Sequence, residues 1–507
     1  MGEQMEEYVF IPDQRSSGED VVVALEKVVA IDTELDFLAA PAGGIGFALP
    51  VTVRPMPVAD ELTTRGLEVL EVVPQSGVTL VRTSIVGPAP AAVGGTFHPV
   101  VNYTMAVADV RVGRLRLTGS LGPSGAEFFS IALQSAGNGN PVSNAVATLG
   151  LKNGGQQLTA VSDSAGIVRF GLRAPAVMDA MLAVEPGFAG HWGHFRRKAD
   201  LPSGSVIVLD PIDLTSAADS LRHFLPPGPA GSGKGVVVGV VDSGVDRHVD
   251  LPNVDGDEDS SIGHGTHVAG IIAGNGANGY GGVAPGARIR SYRVFDDPDT
   301  GIARNFEIHR AIEQAVADGC HVINLSLKFE RDANPSQDDR VLSLAIENAA
   351  EQGVLVVAAA GNDFRRFVAF PARHRDAIAV SALGWEPGMP ANAYDRWTLS
   401  SDRGDPDRDD FFASFSNEGH APTRIDLIGP GAGVVSTVPG DRYAPMSGTS
   451  MACPAMTGAI ARMLSANPAI LAMPGNRARH QAMRQLAFAS LRKHGFGAVR
   501  EGGGMII

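Results

Sequence analysis

The chain has 507 residues, too many for one ordinary hydrophobic core, so two or three domains are expected. Apolar residues make up 44% and charged residues 19%, which excludes an intrinsically disordered chain. The net charge is −14 and no basic cluster stands out, which excludes phosphate-backbone binding, so no nucleic-acid partner is expected.

The opening residues, MGEQMEEYVF, lack a basic stretch followed by an apolar one, and Glu6 breaks the myristoylation pattern. No apolar run reaches the length of a membrane span, so the expectation is a soluble, cytoplasmic protein without a membrane partner. Residues 1–111 mix strand patterns (EYVFIP, LEVLEVV, VTLVRTS) with one or two short helices and read as a small α+β region. Residues 112–215 carry short alternating segments: RLRLTGSL, FFSIAL, AVATLGL, QLTAV, GIVRFGL, AMLAVEPG and SVIVLD. Turn residues such as GNGNP and SDSAG separate them, a spacing that predicts a β-sandwich-like accessory domain. Residues 216–235 end in PPGPAGSGKG, where Pro and Gly suppress regular structure, and read as a linker.

From residue 236 to 507 strand-like and helix-like segments alternate. VVVGVV is a continuous β-branched run, suited to a strand buried on both faces. It is followed by the helix-like GTHVAGIIAGN, the strand-like RIRSYRVF, the helix pattern NFEIHRAIEQAVADG and the strand HVINLSL. In the second of these helices Ile308, Ala311, Ile312, Ala315 and Val316 keep helical spacing, and Gly319 suits the C-terminal cap. DDRVLSLAIENAAEQG, VLVVAAAG, AIAVSAL and RIDLIGPG continue the alternation, and a long helix begins near Ser450. This order predicts an α/β fold with a doubly wound, mostly parallel sheet and flanking helices. Cys320 and Cys453 each fall in an element that reads as buried, so free thiols are expected rather than a disulfide.

Three motifs carry chemistry. VVVGVVDSGVD holds Asp242, GHGTHVAGIIAG holds His264 and His267, and SGTSMACPAMTG holds Ser450. An Asp, a His and a Ser at the edges of glycine-bracketed elements are the parts of a nucleophilic hydrolase, in which a base must take the serine proton. A GTS alone would read as a helix cap. His264 and His267 are spaced to share a helix face, so both are open as the base. As a metal pair they lack a third ligand and the glutamate of a zinc protease, so no metal is assigned. Asp246 and Asp250 lie beyond Gly244 and read as solvated or turn carboxylates. The acidic segments Val254–Ser261 and Ser401–Asp410 match no calcium-loop spacing and read as solvated loops.

In chain order, Asp then His then Ser, and over about Val236 to the C-terminus, the protein resembles the subtilisin-like serine proteases, the subtilase family. The resemblance implies the subtilisin fold and a serine endopeptidase working through an acyl-enzyme, with protein or peptide substrates. The first histidine of HGTHVAG is the family's base, which gives His264 that role, with Asp242 orienting it and Ser450 as nucleophile. Asn362, in VVVAAAGN, and the backbone N–H of Ser450 would be the oxyanion donors. Ser326, Leu327 and Lys328 would form one edge of the substrate cleft, and Ala359, Ala360 and Gly361 the wall of the first specificity pocket. Here the chain departs from the family, with SLKF in place of SLGG. Lys328 would favour acidic side chains, narrow the cleft or dock a partner. No cofactor is required by the resemblance; many relatives bind calcium, but no motif here specifies it. The run TTRGLEVLEVVPQSGVTLVRTS loosely resembles the last elements of a family propeptide. The N-terminal region would then be an intramolecular inhibitory domain, with cleavage near Pro226–Gly235 where it occurs, or else an accessory domain without inhibitory role.

Overall fold

The computed structural model describes residues 6–12, 21–23, 49–51, 63, 67–73, 75–76, 78–83, 95–106, 128–151, 157–172, 174–216, 218–297, 300–330, 334, 336 and 338–507. At its centre is an eight-stranded sheet in the order Val254–Gly256, Arg288–Arg293, Val237–Asp242, Val322–Leu325, Leu355–Ala359, Ala377–Trp385 and Asp410–Phe412, with Leu427–Pro430 also paired to Ala377–Trp385. All pairings are parallel except that of Asp410–Phe412. The run VVVGVV explains the layering. Val238 and Val240 point into one apolar cluster, with the helices His264–Ala273 and Thr449–Ser465. Val241 points into the other, with the helices Asn305–Ala317 and Arg340–Glu351. Both faces of the strand are therefore covered, as an unbroken β-branched run requires. The predicted α/β alternation corresponds to this sheet element by element. Cys320 and Cys453 are buried, free thiols.

Within 216–235, Ser220–Phe224 forms a short helix capped by Asp219. Arg222 binds Asp219 at 2.7 Å and the carbonyls of Gly281 and Val435 at 2.8 and 2.5 Å, fastening this stretch to the body that follows.

Upstream lie smaller sheets. Gln157–Val161, Val146–Gly150, Ala176–Glu185 and His194–Pro202 form one, and Ile167–Arg169, Ser130–Ser135 and Ser205–Leu209 another. Ile131, Leu133, Leu149, Leu182, Val184 and Ile207 fill a common core between them. His194–Pro202 is a strand with no signature in the sequence, because HFRRKADLP is too charged to display an apolar run. The segment RLRLTGSL lies outside the described residues, and of the helices expected in residues 1–111 only Thr63 is described, as helical.

Glu6–Pro12, Glu68–Val72, Thr79–Thr83 and Gly95–Pro99 form an antiparallel sheet. Alternation along its central strand sends Val9 and Ile11 to one face and Phe10 to the other. The Val9 face packs on Phe306 and Val341, which belong to the two helices on that side of the large sheet. No helix among the described residues is long and apolar enough to cross a membrane.

Candidate active site

Asp242 ends the strand Val237–Asp242 and is fully buried. Its Oδ1 accepts the backbone N–H of Ser243 at 2.8 Å and Nδ1–H of His264 at 2.6 Å. A carboxylate only accepts, so Nδ1 carries a ring proton and Nε2 is the nitrogen that faces away from Asp242. His264 is the first residue of its helix, after Gly263 in the left-handed conformation at φ 79°. The approach depends on Gly265: a Cβ there would collide with the Gly244 carbonyl oxygen and crowd Asp242. Asp259 accepts from the N–H of Gly263 at 2.9 Å and the hydroxyl of Thr266 at 2.8 Å, fastening the helix start. The acidic run Val254–Ser261 reads as a solvated loop in the sequence, and only the folded chain reveals this use of Asp259. His267 is also buried and binds the carbonyls of Val434 and Ala444 at 3.1 and 3.0 Å. Burial pushes its pKa down to about 3, so it is a neutral, structural group. Asp250 is not solvated: it is buried and accepts the Tyr443 hydroxyl at 2.6 Å.

Ser450 is the second residue of the helix Thr449–Ser465. Its hydroxyl donates to the Ser326 carbonyl at 2.9 Å, while Nε2 of His264 is buried without a hydrogen bond to a described residue. The hydroxyl is thus hydrogen-bonded to the Ser326 carbonyl rather than to the imidazole. The backbone N–H of Ser450 donates to the carbonyl of Ala106 at 3.0 Å. Nδ2 of Asn362 donates to the same oxygen. The Asn362 amide is oriented by Thr449, whose N–H and hydroxyl donate to Oδ1 at 3.0 and 2.8 Å. Thr449 was not among the residues singled out in the sequence, although it sits inside GTS.

Ala106 ends a run of chain that lies along a cleft. The strand Asn102–Met105 is sandwiched between Ile302–Arg304 and Leu327–Phe329, antiparallel to both. Thr104 is level with Ile302 on one side and Lys328 on the other. The N–H of Ala106 donates to the Ser326 carbonyl at 3.1 Å, and that of Glu330 to the Asn102 carbonyl at 3.0 Å. Ser326, Leu327 and Lys328 lie beside this strand on one side; Ile302–Arg304, on the other, has no distinctive sequence. Ala359, Ala360 and Gly361 are buried and lead into Asn362. The Lys328 ammonium is paired with Asp363 at 2.9 Å, so its charge is largely satisfied within the chain.

The loop after Ala176–Glu185 reaches the site as well. A Cβ on Gly263 would collide with the ring of Phe188. A cavity of about 290 Å³ opens beside His264, lined by Met105, Phe188, His191, Tyr394 and Met446 among others. Elsewhere, His223, Asp407 and Asp410 bring one potential ligand atom each within 4.8 Å of one another. That set contains an imidazole and so differs from the all-oxygen shell of a calcium site.

Residues 233–502 match the family model described as the subtilase family, Peptidase_S8. Subtilisin Savinase of Lederbergia lenta is 36% identical over 247 residues, which is 47% of this chain and 79% of that protein. The thermophilic serine proteinase of Bacillus sp. (strain AK1) is 38% identical over 244 residues, covering 46% of this chain and 52% of that protein. The solved structure of the prenylagaramide maturation protease PagA is 27% identical, with a TM-score of 0.43, covering 58% of this chain and 94% of that one. With a matched family model over more than half its length and the sheet in which such enzymes are built, the chain belongs to the subtilases and is a subtilisin-like serine endopeptidase.

Proposed function

We propose that Asp242, His264 and Ser450 form the catalytic triad, with Asn362 and the Ser450 N–H as oxyanion hole, and that the peptide bond after Ala106 is the enzyme's first substrate. The observation that carries this reading is the Ala106 carbonyl, which accepts from both the Ser450 N–H and the Asn362 amide. A carbonyl held by two donors beside a serine hydroxyl is where negative charge would develop during acyl transfer. The Ser450 oxygen, rotated toward His264, attacks the Ala106 carbonyl carbon while Nε2 takes its proton. The imidazolium, steadied by Asp242, returns that proton to the amine of Val107 as the C–N bond breaks. Water then hydrolyses the ester by the same route, leaving Ala106 with a free carboxylate.

Until residues 1–106 leave, the cleft is filled by the chain's own strand, and the enzyme is latent toward other substrates. We accordingly draw the first domain boundary at residue 106 rather than 111. The sheets between 128 and 210 would be an accessory domain, and the catalytic domain would begin with the helix at Ser220. A cut near Pro226–Gly235 has less to support it, since the strand lying in the cleft comes from elsewhere. Incubation of the purified full chain, with mass and N-terminal mapping, tests the reading. A new terminus at Val107, absent in Ser450→Ala, is expected, together with fluorophosphonate labelling of Ser450. A folded protein that neither cuts there nor takes the label would refute it.

A further inference from the structure

Three residues before Ala106 the cleft strand presents Tyr103, which is fully buried. Its ring lies against Phe329, with centroids 5.5 Å apart, inside the apolar cluster that includes Leu327, Leu342 and Phe370. At the end of this pocket the tyrosine hydroxyl donates to Oδ2 of Asp339 at 2.9 Å. The carboxylate is fixed from the other side. Its Oδ1 caps the helix Arg340–Glu351 by accepting the Val341 N–H at 3.0 Å, and Asn305 approaches the same oxygen at 3.4 Å. One oxygen is thus committed to the scaffold and the other is aimed at the ligand.

We propose that Asp339 is a specificity-determining residue of this protease, which selects segments carrying a tyrosine three residues before the residue that supplies the scissile carbonyl. The proposal rests on the reading of the Ala106 carbonyl given above. An apolar pocket alone would accept phenylalanine as readily as tyrosine. A pocket that ends in a fixed carboxylate disfavours phenylalanine, because that ring fills the space and leaves a part-buried acceptor unpaired. Burial raises the Asp339 carboxyl to about 6, so at neutral pH it is chiefly the acceptor that a phenol requires.

A hydrogen bond to a charged partner predicts a discrimination of roughly 10- to 100-fold. Two measurements test it. In full-length Ser450→Ala protein, hydrogen exchange of the Ala106 amide reports how firmly the strand is held. Tyr103→Phe should speed exchange by about that factor. Asp339→Ser, which preserves a good helix cap, should do the same, and the two together should cost no more than either alone. In the active enzyme, the peptide Val-Asn-Tyr-Thr-Met-Ala-Val-Ala-Asp should be cut with a kcat/KM higher by the same factor than its phenylalanine analogue. Asp339→Ser should bring the ratio near one. Unchanged exchange in Tyr103→Phe, or equal cleavage of the two peptides, overturns the proposal. If exchange responds as expected but no peptide is cut, the pocket stands and it is the assignment of Ser450 as nucleophile that fails.

Discussion

Orientation at single residues decides how well this site can work. Asn362 donates to the cleft carbonyl only because Thr449 holds its other amide atom with two hydrogen bonds. Replacing Asn362 by Leu should lower kcat by about 10²–10³ with little change in KM, the size such a donor has in subtilisin itself. Thr449→Val keeps the backbone N–H but removes the hydroxyl, and should cost about tenfold in kcat at unchanged KM, a split that steady-state kinetics reads directly. Asp242→Asn should cost about 10⁴ in kcat, since an amide facing Nδ1 favours the wrong tautomer. These residues come from motifs legible in the sequence. Lys328 is different: its charge invited a preference for acidic substrates, but Asp363, far along the chain, already pairs with it.

Elements set the separations between those residues. The helix His264–Ala273 approaches the strand Val237–Asp242 closely enough for a 2.6 Å contact between their ends because Gly265 has no side chain. Gly265→Ala should force the helix back, cost roughly 1–3 kcal/mol of stability and lose most activity, as thermal melts and peptide assays would record. Helix and strand periodicity were legible because an amphipathic repeat is written within one short segment. His194–Pro202 was not, since a charged, half-exposed strand carries no such signature, and neither was the Ile302–Arg304 edge, whose role is played by backbone groups.

At the scale of the whole molecule, the N-terminal sheet is held by both apolar and polar contacts. Phe306 packs under Val9, Ile11, Val73, Val78 and Leu80, while Glu7 and Glu71 pair with Arg304 and Arg310. The ion pairs are partly exposed and should contribute little each. Phe306→Ala should cost about 3–5 kcal/mol and release residues 1–106 much sooner, measured by size exclusion after cleavage, whereas Glu71→Ala should hardly change release. His309 adds a pH term. It is buried against Ser76 at 3.0 Å, and burial pushes its pKa down to about 4 from 6.5. A histidine that regains its ordinary value on undocking binds a proton more readily in the released state, so docking weakens as pH falls from about 6.5 toward 4. Release should therefore be faster at pH 5 than at pH 7.5, and His309→Gln should flatten that difference.

By itself the sequence determined the sheet-and-helix order and the family, and singled out Asp242, His264, Ser450 and Asn362 as candidates, because repeats and glycine-bracketed motifs are local. Only the tertiary structure decided that Asn102–Ala106 lies in the cleft, with the Ala106 carbonyl beside Ser450. Strand addition is made by backbone N–H and C=O groups that every residue possesses, so nothing in the letters NYTMA announces it. The Tyr103 pocket is likewise invisible in one dimension: its hydroxyl meets a carboxylate 236 residues away, and only folding brings the two together.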